Sequence, residues 1–160
     1  MDSQYKAYLL ERYHDEVAGE SFFRTLSEHA TDPDRNYKWQ VLTRLETETQ
    51  ELLRSALKEL ELEVAPRRED IERGQREATR FSAIPWIEFM KGFRPVLQNF
   101  VHMFEAAESL APDVRDRTLL QHVTAHERAL LAFVTRELEG CSDASLQPVL
   151  TLLENPPRRF

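Results

Sequence analysis

Cysteine and glycine are scarce in this 160-residue chain, and basic residues are outnumbered by acidic ones. The one cysteine, Cys141, excludes an intrachain disulfide and any cysteine-built metal cluster. No histidine or basic side chain beside it in sequence would activate its thiol, so it reads as an inert residue near a helix end. Only four glycines interrupt a chain rich in Glu, Leu, Ala and Arg, and that balance points to long helices with short connections. Lys and Arg number 21 against 28 Asp and Glu, for a net charge of −7. A surface of that sign has no general attraction for phosphate backbones, and no nucleic-acid partner is expected. No run approaches the roughly 18 uninterrupted apolar residues that a membrane span needs, so no membrane partner is expected either. The opening Met1-Asp2-Ser3-Gln4-Tyr5-Lys6 lacks the basic stretch and apolar core of a signal peptide. A cytoplasmic location is the expectation for such a chain with a single thiol. Phosphate loops, dinucleotide fingerprints and Ser-His-Asp signatures are also missing.

What is present is a helical pattern. Hydrophobic residues make up 41% and charged residues 31%, the balance of a globular protein with one core and one domain spanning 1–160. Apolar residues recur at three- and four-residue steps, and no segment alternates with the period of a strand. The spacing predicts a helix from Ser3 to about His29 and a second to about Leu62, with Asp32 as its cap and Pro33 at its first position. Ala65 to Pro85 reads as a long connection, with Arg67 to Arg80 as a short, exposed and solvated helix. A third long helix follows from Pro85 to about Leu110, and a fourth from Pro112-Asp113 to Glu139 with Gly140 as its left-handed cap. A short helix over about 143–154 ends the chain. Two helical hairpins joined by one long crossover make the expected fold an all-α, ferritin-like four-helix bundle, with its core over about 3–140, plus a short C-terminal helix.

A bundle of this kind builds its site from side chains that interrupt the apolar stripes. Stepping through Tyr13 and Val17 puts Glu20 on the buried line, and stepping through Trp39, Leu42 and Thr49 does the same for Glu46. His126 falls on the line of Leu119, Val123 and Leu130. Folding the first hairpin about its turn at Asp32-Pro33 sets Glu20 and Glu46 at one level. Glu105 lies about 12 Å above the level of His126 at the helical rise of about 1.5 Å per residue, and is set aside. His122 and His126 share a helical face, but the zinc motif H-E-x-x-H is absent.

Three stretches carry a family resemblance: Glu16-Val17-Ala18-Gly19-Glu20-Ser21-Phe22-Phe23, Leu45-Glu46-Thr47-Glu48-Thr49, and His126-Glu127-Arg128-Ala129-Leu130. Together they resemble rubrerythrin-type proteins of the ferritin-like superfamily. The resemblance implies two irons held by one Glu on each of two helices and a Glu-x-x-His on each of the other two. Carried over residue by residue, Glu20 and Glu46 match the first two acids and His126 matches the last histidine. Thr49 stands where the first histidine would be, Val123 stands in place of a Glu, and Leu97 to Val101 offer no carboxylate. A full di-iron centre is therefore not expected. Two functions lead, ahead of a helical small-molecule enzyme without metal. Glu20, Glu46 and His126 could hold a single Fe, Mn or Zn ion in an iron-dependent oxidoreductase, with oxidation or peroxide handling as the implied chemistry. Alternatively, the chain is a metal-free ferritin-like scaffold that serves as a binding or assembly module. The apolar face Leu146, Val149, Leu150 and Leu153 must either cover the bundle end or meet a second copy, and the latter would make a homodimer.

Overall fold

A computed structural model describes residues 3–157. The described residues form six α-helices: α1 (Ser3–His29), α2 (Pro33–Glu59), α3 (Arg68–Phe81), α4 (Trp86–Ala107), α5 (Val114–Leu138) and α6 (Gln147–Glu154). No strand occurs among them, so the chain is all-α. They divide into two compact units, Ser3–Ala83 and the stretch from Ile84 onward.

The N-terminal unit is built on the α1–α2 hairpin. Asp32 has extended backbone and accepts a hydrogen bond from the Arg35 amide at 2.9 Å, which supplies the partner that a first-turn amide lacks. Pro33 follows it in the first turn, where its missing N–H costs nothing. The Asn36 side chain donates to the Ser27 carbonyl at 2.6 Å, and the Phe23 ring stacks on Trp39, 5.8 Å between centroids. At the far end of α2, the Leu62 amide donates to Leu57 and the Glu61 amide to Lys58, both at 2.9 Å. This is the double bond of a Schellman cap. It forces Glu61 into left-handed backbone with φ 61°, where glycine is the usual residue.

The largest departure from the sequence reading is α3. The charged stretch expected as an exposed crossover is a 14-residue helix that packs along α1. Its inner face carries Asp70, Gly74 and Ala78, one turn apart, and all three are buried. Gly74 lets the two backbones approach: a Cβ there would lie 2.3 Å from the Ala18 carbonyl oxygen. Ser21 Oγ donates to the Ile71 carbonyl at 2.7 Å across the same contact. At one end, Asp70 is held by Arg67 at 2.8 Å, while His14 Nδ1 lies 3.1 Å from it. Arg73 reaches Asp15 at 3.1 Å. The burial of Asp70 works to raise its carboxyl, but the Arg67 hydrogen bond and the charges of Arg67, His14 and Arg73 outweigh it and hold it below its ordinary value.

The C-terminal unit is the α4–α5 hairpin with α6 laid on α5. Trp86 Nε1 donates to the buried Glu137 carboxylate at 2.7 Å, and its ring meets Phe133 edge-on at 6.4 Å, so the start of α4 is fixed to the end of α5. Asp113 caps α5 by accepting from the Asp116 amide at 2.8 Å. Gly140 takes the left-handed conformation expected of it, φ 79°. On the C-terminal apolar face Leu146, Val149 and Leu153 are buried and Leu150 is half-buried, with α6 packed on α5. No helix of the described residues is long and apolar enough to cross a membrane.

Candidate metal centre

Two antiparallel helices of 27 residues each meet along a seam whose steps alternate between four and three residues. On α1 that seam runs through Leu9, Arg12, Glu16, Gly19, Phe23 and Leu26. On α2 it runs through Trp39, Leu42, Glu46, Thr49, Leu53 and Ala56. The acids that meet are therefore Glu16 and Glu46. Their side chains are buried, at 4% and 5% exposure, and a carboxylate oxygen of each lies within 4.8 Å of the other. Glu46 lies flat against α1, because Gly19 presents no side chain in its way. A Cβ on Gly19 would sit 2.9 Å from the Glu46 carboxyl carbon.

Glu20 is placed differently from the sequence reading. It sits on the flank of the seam, half-buried, where it accepts a short hydrogen bond from Thr47 Oγ1 and pairs with Arg24 at 3.3 Å. The cause is the phase of the seam: Phe23 stacks on Trp39, so Glu16, seven residues before Phe23, lies opposite Glu46, seven residues beyond Trp39, and Glu20 falls to the flank beside Thr47. Glu46 stands on the inner line as expected, and so does Thr49, which is 1% exposed.

In the C-terminal unit, His126 is fully buried on α5, as the Leu119–Val123–Leu130 line implied. His122, one turn before it, is pushed down to about 4 by burial and then by the proximity of His126, so it is neutral at physiological pH. Glu127 is also buried, and nothing in the α5 stripe had marked it. Glu105 pairs with Arg128 at 2.7 Å on the exposed side of the α4–α5 contact, consistent with its exclusion as a ligand.

Two buried carboxylates side by side can accept a divalent cation, which neutralises both at once and offsets the solvation that burial removed. Carboxylate oxygens serve as ligands to divalent ions that include Fe, Mn and Zn. Comparison with protein-family models, curated proteins and solved structures found no match for the chain.

Proposed function

We propose that the protein binds one divalent transition metal, Fe, Mn or Zn, through the carboxylates of Glu16 and Glu46. The observation that carries this reading is the buried Glu16–Glu46 pair at the α1–α2 seam. In this reading the chain is a ferritin-like bundle reduced from two metals to one, with α1–α2 and α4–α5 as the two hairpins. Glu16 takes the place that the sequence register gave to Glu20. With iron bound, the ion would supply oxidation or peroxide chemistry at ligand positions left open by the protein.

The test is calorimetry with and without Fe(II), Mn(II) and Zn(II). At a hundredfold excess over the dissociation constant, binding adds about 2.7 kcal/mol to the wild type and raises its melting temperature. Glu16→Ala and Glu46→Ala should each abolish that rise, while Glu20→Ala and Glu105→Ala should keep it. If no metal shifts the wild-type transition, the reading fails and a metal-free scaffold stands in its place.

A further inference from the structure

We propose that Gly19 is the positioning residue of the carboxylate pair: it leaves a bare patch on α1 that lets the Glu46 carboxylate lie beside Glu16. This rests on the metal-binding reading and adds the device that sets its geometry. Gly19 stands in the middle of a 27-residue helix, where glycine is markedly less favourable than alanine. A backbone requirement does not account for it, because Gly19 has no positive φ. The space it leaves is taken by one group. The three nearest atoms to a Cβ at this position are the Glu46 carboxyl carbon at 2.9 Å and its two oxygens at 2.9 and 3.1 Å. The patch is thus matched to a carboxylate and touches nothing else so closely. Gly19 is also three residues beyond Glu16, on the same face of α1, so the carboxylate it admits arrives one turn from the other acid.

The other glycines of the described helices give the contrast. At Gly74 the close atoms belong chiefly to the α1 backbone, the Ala18 carbonyl and the Phe22 amide, which makes Gly74 a packing glycine. At Gly92 nothing lies within 4 Å. Only at Gly19 is the neighbour the far end of a flexible side chain, which can swing away when a methyl group is added. Gly19→Ala should therefore preserve the fold and displace the carboxylate, so that stability and metal binding move in opposite directions. A glycine needed only for packing would lose both together.

Three variants, Gly19→Ala, Gly74→Ala and Gly92→Ala, are compared with wild type by thermal melting without metal, by Mn(II) and Zn(II) titration, and by crystal structures of the metal-free wild type and Gly19→Ala. Gly19→Ala should melt no lower than wild type, bind metal at least about tenfold more weakly, and show the Glu46 carboxylate withdrawn from Glu16. Gly92→Ala should melt no lower and bind normally. A Gly19→Ala protein whose Glu46 stays beside Glu16, or which binds metal as wild type does, overturns the proposal. So does one that melts lower, as Gly74→Ala should. If wild type itself binds no metal, the functional reading fails; a displaced Glu46 in the metal-free variant would then still uphold the role of Gly19 in placing it, and an undisplaced one would end both.

Discussion

Replacing Gly74 by alanine tests whether close backbone contact holds α3 to α1. The added methyl would sit 2.3 Å from the Ala18 oxygen, 2.8 Å from Ser21 Cβ and 2.9 Å from the Phe22 nitrogen. Two of these atoms are backbone within a helix and cannot turn aside, so α3 must retreat by about 1 Å to restore ordinary van der Waals contact. Overpacking of this kind costs roughly 1–3 kcal/mol. The retreat also stretches the Ser21–Ile71 hydrogen bond from 2.7 Å, which forfeits about 1 kcal/mol more. Against this, alanine in a helix interior regains about 1 kcal/mol over glycine. The net expectation is a loss of roughly 2 kcal/mol. Urea unfolding followed by circular dichroism reads the loss, and amide hydrogen exchange reads its location, which should be α3 and the facing turns of α1. An alanine variant as stable as wild type, with α3 amides equally protected, would refute the close-contact account.

Acid should loosen the same helix. Burial and the nearby Arg67 hold His14 below its ordinary value of 6.5, so the folded state resists its protonation, and the associated stability is complete above that value and lost as pH falls beneath it. Asp70 is also lowered, so its share is present above its ordinary value of 3.8 and is lost as pH falls through the lower folded value. Protection factors of α3 amides, corrected for intrinsic exchange, should therefore fall between pH 7 and pH 5, and fall less in His14→Gln; an equal fall in that variant would remove His14 as a cause. Glu61→Gly should raise stability by about 1 kcal/mol in urea unfolding, because Glu61 holds left-handed backbone that disfavours any residue with a Cβ. A variant that is no more stable would show that the cap relaxes around glutamate without strain.

The long helices were legible because their signals are local and repeated. Asp32-Pro33 and Asp113 mark the starts of α2 and α5, Gly140 follows the end of α5, and the stripes between them are dense in large apolar residues. The third helix was legible as a helix but not as a packed one. Its inner face is Asp70, Gly74 and Ala78, and a stripe of small and charged residues carries no hydrophobic signal. Burial there comes from close approach and from an ion-pair cluster, both of which depend on α1 supplying Ala18, Ser21, His14 and Asp15 at the right places. A sequence read one segment at a time has no access to such complementarity.

The candidate site turned on a single choice between acids four residues apart. Glu16 and Glu20 are one turn apart on α1, and a stripe drawn through Tyr13 and Val17 selects Glu20. What selects Glu16 is the phase of α1 against α2, which the Phe23–Trp39 stack fixes. Trp39, Leu42, Glu46, Thr49, Leu53 and Ala56 share one face of α2 at alternating steps of three and four. Stepping back from Phe23 in the same way passes through Gly19 and Glu16, whereas the equally regular line through Tyr13 and Val17 passes through Glu20 instead. The line through Phe23 also accounts for a residue that the other does not: a mid-helix glycine on an inner line marks where something from the facing helix must come close, and the group that comes close is the carboxylate of Glu46.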